Sequence, residues 1–391
     1  MTKNIDLSAL GLPPLPSSSP DTIAALLWAR EVLQQHLTTT YAVRDPKGIE
    51  ELKPVKIGGV DQWLHIRGRN RNNPVLLYLH GGPGSSMIGL MDAIMRPWED
   101  YFTIVLWDQR QTGKSYYPAN DETDPLTVQG MAADTEEVIQ YLRSHLKQDK
   151  LFVLGHSWGS VLGMHMAKRH PDWLHAYIGV GQVVNVMDNE RVICERLLSH
   201  AKEQKEEQLV AKLEAIAPYP NPADPVKSFI ENGEFIRWEL SRLAGETMMH
   251  LLPHEGVTNY DELLKMWAFD RLISPHLTLT DISHSVLGDE SALFRPPYCL
   301  TKEFMAIDLP NDVGSSFEVP IFFFTGVHDW TTPWLLSDKW FTQIDAPYKE
   351  LIHFEESSHI IVNEEPGKVL MALVNKVLPL AQNDTGREVN D

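Results

Sequence analysis

At 391 residues, 43% of them hydrophobic and 11 of them tryptophan, the chain can bury a sizeable core, as one large α/β domain with an insertion or as two ordinary domains. Its 34 Lys and Arg against 53 Asp and Glu give a formal charge of −19, which repels phosphate backbones and anionic lipid, so nucleic acid and membrane surfaces are excluded as partners. Cys194 and Cys299 are too few and too far apart for a disulfide framework or a zinc site, no basic segment followed by a long apolar one opens the chain, and no run reaches the roughly 18 apolar residues of a membrane span, so a soluble cytoplasmic protein is expected.

Residues 1–18 are rich in Leu, Pro and Ser and read as an extended arm. A helix is expected to follow, with Ser19 as N-cap and Pro20 at its first position; Ile23, Leu26, Leu27 and Leu33 recur at helical spacing and would dock it on the body, so that arm and helix fill residues 1–49. Between Glu51 and Arg67 two β-like segments flank Gly58-Gly59 and predict an antiparallel hairpin. Three apolar runs then end abruptly in polar motifs. Pro74 to Leu79 runs into His80-Gly81-Gly82-Pro83-Gly84, Phe102 to Trp107 into Asp108-Gln109-Arg110, and Leu151 to Leu154 into Gly155-His156-Ser157-Trp158-Gly159. A helical pattern covers Thr127 to Leu146, another continues from Ser157 to His170, and Ala176 to Gly181 reads as a strand. Strands alternating with helices predict βαβ units and a mostly parallel sheet over residues 50–183.

The rhythm breaks near Val184. As far as Glu318 the chain is charged and helical (190–204, 206–216, 229–243 and 260–267), interrupted by Pro218, Pro220, Pro222 and Pro225. This stretch, 184–318, reads as a helical cap inserted into the sheet domain, because strands resume at Val319 to Thr325 and Tyr348 to Phe354 before a last helix from Gly367 to Leu378. Residues 319–381 complete the core, and 382–391 read as a disordered tail. The fold class expected is α/β, a mostly parallel sheet flanked by helices and carrying a cap.

A Gly-x-Ser-x-Gly pentapeptide by itself is most often a plain turn. At the end of a buried strand it lets the chain reverse straight into a helix, with glycines where the two elements pass closely, and stands the Ser157 hydroxyl clear of the sheet. A serine hydroxyl needs a base, and the base an orienting carboxylate. Asp329 in Gly326-Val327-His328-Asp329 follows one late strand, and His359 in Ser357-Ser358-His359 follows the next, so candidate nucleophile, acid and base occur in the order Ser157, Asp329, His359. His328 abuts the acid and His353 lies inside its strand, which fits both for structural roles. The oxyanion formed on attack needs two aimed donors; the backbone N–H groups of Trp158 and Gly82 are assigned to it, with Gly81 as the fallback.

Taken together, these motifs resemble the proline iminopeptidase branch of the α/β-hydrolases over roughly residues 50 to 183 and 319 to 380. Two positions depart from its pattern: Gln111 stands where glycine usually follows Asp-Gln-Arg, and Ser358 where Ser-Gly-His is frequent. The aminopeptidases of that branch hold the substrate amine with glutamates in the cap, and Trp238-Glu239 resembles one such element, which implies Glu239 and Trp238 as substrate-binding residues. The resemblance implies two-step acyl transfer on a small molecule or short peptide, without metal or organic cofactor. Three readings remain open: an iminopeptidase-like aminopeptidase, a carboxylesterase or lactonase for a bulky apolar ester, and a non-catalytic binding protein on a hydrolase frame. Oligomeric state leaves no trace in the sequence.

Overall fold

The computed structural model describes residues 22–117, 126–251, 260–284 and 300–384. Eight strands form one sheet in the order β1-β2-β4-β3-β5-β6-β7-β8. They are β1 (Ile49–Ile57), β2 (Val60–Gly68), β3 (Val75–Leu79), β4 (Thr103–Asp108), β5 (Leu151–His156), β6 (Leu174–Val180), β7 (Ile321–Gly326) and β8 (Lys349–Phe354). β1 and β2 form the hairpin turning at Gly58-Gly59, and β2 runs antiparallel to β4; from β4 onward every neighbouring pair is parallel.

The central strands are buried along their whole length because helices cover both faces, and their sequences are near-continuous apolar runs for that reason. Alternate residues feed two cores. Leu77, Val153 and Phe323 pack on one side of the sheet, and Leu76, Leu154 and Phe322 on the other. α1 (Thr22–Tyr41) precedes the sheet and buries none of its described residues in either core, while the covering helices include the short α2 (Asp92–Met95), α3 (Val128–Leu146) and α4 (Trp158–Arg169). Thr127 caps α3 by accepting a hydrogen bond from the Gly130 N–H, and Lys147 closes it in the left-handed region. Ser19 and Pro20, expected to start the first helix, lie outside the described residues, as does Cys299; Cys194 is buried.

Between β6 and β7 lie α5 (Val186–Glu203), α6 (Glu207–Ala215), α7 (Pro225–Leu251), α8 (Tyr260–Ile273), α9 (Leu279–Ser283), α10 (Thr301–Met305) and α11 (Leu309–Asp312). The two ends of this excursion are tied together: the Val186 N–H bonds to Ile307 O, and the Leu309 N–H to Val184 O. α5, α6 and α7 enclose a core of their own, built on Ile193, Leu197, Leu213, Tyr219, Ile236 and Leu240. After β7 come α12 (Trp334–Gln343), α13 (Ile361–Glu364), α14 (Pro366–Ala372) and α15 (Pro379–Asp384), the last two joined by a wide turn at Leu373–Val377. Residues 382–384, expected to belong to a disordered tail, continue α15. Ala381 is buried in the sheet's second core and Leu380 packs against it, which anchors this helix. Among the described residues no helix is long and apolar enough to cross a membrane.

Candidate active site

The loops at the carboxyl ends of β3 to β8 share one edge of the sheet, where open α/β sheets bind ligands. β5 delivers Ser157. The residue adopts φ 53° and ψ −121°, a strained conformation that turns the strand directly into α4. The two glycines of the motif have a steric reason. A Cβ on Gly155 would lie 2.4 Å from Gly159 O, and one on Gly159 would lie 2.1 Å from Leu79 O, so neither position tolerates a side chain without backbone movement. The Ser157 N–H bonds to Val180 O at 2.9 Å, which fixes the turn to the end of β6.

β7 and β8 supply the other two groups. Asp329 is fully buried and its carboxylate accepts four hydrogen bonds: from the Thr331 and Thr332 N–H groups at 2.8 Å each, from Thr332 Oγ1 at 2.7 Å, and from His359 Nδ1 at 2.9 Å. Burial alone would raise Asp329, but the His359 charge and these hydrogen bonds outweigh it and hold the carboxyl below its ordinary value. With Nδ1–H donated to Asp329, the lone pair of the neutral imidazole sits on Nε2. His359 Cε1 and Nδ1 come within 3.1 Å of where a Gly181 Cβ would be, so the imidazole lies against the β6 end, next to the residue that holds the Ser157 N–H. Neither Ser157 Oγ nor His359 Nε2 has a hydrogen-bond partner among the described residues, which leaves both free for a reacting molecule.

His156 stabilises this arrangement from below. Its Nε2–H donates to His359 O at 2.8 Å, and burial, reinforced by the neighbouring His359 charge, pushes the ring down to about 3, so it remains neutral. His328 contributes its backbone N–H to Ser357 O, and His353 bonds to Asp338 at 2.8 Å; neither ring joins the Ser157 edge.

The His80–Gly84 loop passes over Ser157: a Cβ on Gly81 would lie 3.1 Å from Ser157 Cβ. Gly82 and Gly84 take φ of 105° and 106°, values suited to glycine, and the loop closes through Ser85 N–H to Gly81 O. The N–H groups of Gly81, Gly82 and Trp158 are without partners among the described residues, and Trp158 opens α4, where the first N–H groups have no intrahelical acceptor. Gln109 joins the two halves of this site. Its side chain donates to His80 O at 3.1 Å and accepts from Trp158 Nε1 at 3.0 Å, while its backbone N–H donates to His80 Nε2 at 3.2 Å. Asp108 beside it accepts from Ser86 Oγ and the Lys114 N–H, and burial pushes it up to about 7 against those bonds. Arg110 forks onto Asp134 through two 2.8 Å bonds and locks the motif to α3. Gln111 takes φ 64°, a left-handed conformation that accounts for the glycine preferred there.

The two cap residues have other partners. Glu239 is buried in α7 with its carboxylate on Arg242 Nε at 3.0 Å, and Arg242 also holds Glu206 at 2.9 Å; Trp238 is 63% exposed. Neither shares a hydrogen bond or ion pair with Ser157, Asp329 or His359 among the described residues. α5, by contrast, reaches the loop that carries Asp329. Asn189 Nδ2 donates to Thr331 O at 2.9 Å, and the Arg196 guanidinium lies over the Trp330 ring, 4.6 Å from its centroid.

A model of the α/β-hydrolase fold matches residues 74–206. The probable aminopeptidase YbaC of Bacillus subtilis (strain 168) is 30% identical over 331 residues, spanning 83% of this chain and 95% of that protein. The chain belongs to the α/β-hydrolase family. Within that family it falls in the proline iminopeptidase-like branch, and it is a hydrolase. A probable proline iminopeptidase of Leptolyngbya boryana is 39% identical over 103 residues, 26% of this chain and 30% of that protein. The fold is shared with a proline iminopeptidase-related protein from Thermus thermophilus, at TM-score 0.55 and 19% identity over 85% of this chain and 99% of that one.

Several residues that shape this α/β-hydrolase's site were missed by reading the sequence. Thr332 was silent because threonine after an acid carries no signal. His156 and Gln109 sat in motifs that were already recognised, yet their roles as struts depend on contacts between loops distant in the chain.

Proposed function

We propose that this hydrolase works through Ser157, His359 and Asp329 by acyl transfer, with an aminopeptidase of the proline iminopeptidase type as its first reading. His359 Nε2 takes the proton from Ser157 Oγ as the hydroxyl attacks the substrate carbonyl. Asp329 holds the tautomer and stabilises the imidazolium. The tetrahedral oxyanion is met by the Trp158 and Gly82 N–H groups, with Gly81 as the fallback. His359 then protonates the leaving group, and the same imidazole activates water to release the acyl-enzyme. The observation that carries the proposal is the 2.9 Å contact between Asp329 and His359 Nδ1 at the sheet edge that also presents the strained Ser157. The free imidazole lone pair and hydroxyl fit a resting enzyme, since such contacts commonly tighten only with substrate bound.

The aminopeptidase reading draws on the Bacillus subtilis relative, named a probable aminopeptidase, and on Glu239 as a group for the substrate amine. One observation favours a second reading, a carboxylesterase or lactonase for a bulky apolar ester: Glu239 is already paired with Arg242, so an amine would have to compete with a guanidinium. Parallel assays with a prolyl arylamide and a panel of aryl esters separate the two. Turnover of the arylamide that falls in Glu239→Gln supports the first reading, and ester turnover indifferent to that change supports the second. Full turnover of every substrate by Ser157→Ala would overturn both and leave a binding protein on a hydrolase frame.

A further inference from the structure

His359 is carried by a short loop between β8 and α13, and the placement of its ring depends on what holds that loop. From the β7 side the contacts are close and made by backbone. The His328 N–H bonds to Ser357 O at 3.0 Å, and a Cβ on Gly326 would lie 2.1 Å from Ser358 O. On the opposite side two consecutive glutamates grip two consecutive serines. Glu365 accepts from Ser357 Oγ at 2.7 Å. Glu364 takes both polar atoms of Ser358, the backbone N–H at 2.8 Å and the hydroxyl at 2.6 Å, one on each carboxylate oxygen. Both serines are buried, Ser357 completely. Ser358 immediately precedes His359 and stands where the related pattern has glycine, so its hydroxyl gives the carboxylate a second point of attachment that glycine would lack.

We propose that Glu364 is a positioning residue for the reaction, holding Ser358 at two atoms and through it setting the place of the His359 imidazole relative to Ser157. The inference rests on the reading of His359 as the base. It assigns to Glu364 no contact with substrate. The carboxylate also has an electrical side. Burial pushes Glu364 up to about 7 against the two Ser358 bonds, with Asp329 opposing its ionisation and His359 favouring it. The charged groups around it are Asp329 from the β7 loop, His359 from its own loop, and Glu365, itself paired with Lys368, from the start of α14. An anion at 364 favours the imidazolium at 359. That charge is present mainly above about pH 7, so at lower pH Glu364 acts through its hold on Ser358 rather than through its charge.

Glu364→Ala and Glu364→Gln, measured on the best substrate from the ester and arylamide panel, test the inference. Glutamine can still accept from the Ser358 N–H and donate to its hydroxyl, so it retains the grip without the charge. Glu364→Ala is expected to lower kcat about 30-fold with KM changed less than about threefold, the size of effect that losing hydrogen bonds to a charged group produces. Glu364→Gln is expected to keep kcat within about threefold, a rescue relative to alanine that a loss of packing alone would not give. The fraction of molecules labelled by a fluorophosphonate reports folding of the site and is expected to stay at the wild-type level in both. Wild-type kcat in Glu364→Ala, or a loss matched by the fraction labelled, overturns the inference. If the alanine variant does not fold, Glu364→Asp, whose carboxylate is one methylene short of Ser358, takes its place with about a tenfold loss of kcat expected, and wild-type kcat there overturns the inference equally. Ser157→Ala measured alongside keeps the two readings apart: turnover persisting there removes the proposed nucleophile, whereas turnover lost there but unaffected at 364 removes only the role of Glu364.

Discussion

Asp329→Asn exchanges one carboxylate oxygen for an NH2 group at the centre of the site and changes almost nothing in volume. The amide oxygen can replace Oδ1 and accept from the Thr331 and Thr332 N–H groups, both now at 2.8 Å. The NH2 group then takes the place of Oδ2, which at present accepts from Thr332 Oγ1 at 2.7 Å and His359 Nδ1 at 2.9 Å. The threonine hydroxyl can rotate to accept. The imidazole can comply only by leaving Nδ1 unprotonated, which moves its proton to Nε2 and turns the base toward Ser157 as a donor. The wrong tautomer in a serine triad costs about 10³–10⁴ in rate, or about 4–5.5 kcal/mol of barrier. Because the carboxyl is held below its ordinary value, its charge contributes to folding at neutral pH and the variant should also melt somewhat lower. The assay is kcat/KM from about pH 5 to 9 with a thermal melt of each protein. A variant within about tenfold of wild type near neutral pH, melting at the same temperature, would refute the role given to Asp329.

Further outcomes follow from the same contacts. Gly159→Ala places a Cβ 2.1 Å from Leu79 O, and because the obstacle is backbone the variant should lose about 3 kcal/mol or more in chemical denaturation. The folded value of Asp108, about 7, lies above its unfolded one, so the stability this group contributes is full below about pH 4 and is lost as pH rises through about 7. Asp108→Asn should therefore gain in melting temperature over wild type from about pH 5 to about pH 8, and a constant difference across that range would count against the buried carboxyl. Arg30 and Gln34 of α1 hold the carbonyls of Leu272, Leu277 and Ser274 at 2.8, 2.6 and 2.6 Å. Replacing both by alanine should raise amide exchange in residues 272–278 and cost about 2 kcal/mol, whereas unchanged exchange there would show that α1 does not secure this segment.

The sheet was legible because its strands are apolar runs that end in glycine-rich or charged motifs, so the ends of β3, β5 and β7 could be placed closely. Element boundaries were harder where side chains decide them. α5 begins at Val186, ahead of its charged pattern, because the Asn185 side chain caps it by accepting from the Asp188 N–H. Pro225 was read as an interruption, but it opens α7, where a missing N–H costs nothing. The candidate nucleophile, acid and base could be proposed from chain order alone, since each follows its own strand. The partners of those residues could not. Gln109, Thr332 and Glu364 act through contacts between residues brought together only by folding, and whether Glu239 meets an amine or only Arg242 depends on the folding of the cap, which no local pattern encodes.

The most direct measurement is the mass of the protein quenched during turnover of a slow aryl ester, followed by peptide mapping. The proposed mechanism predicts a single acyl adduct on Ser157, formed in a burst, that is absent in Ser157→Ala and accumulates far more slowly in His359→Ala. Turnover without any adduct on Ser157, or an adduct on another residue that is competent to turn over, would contradict it.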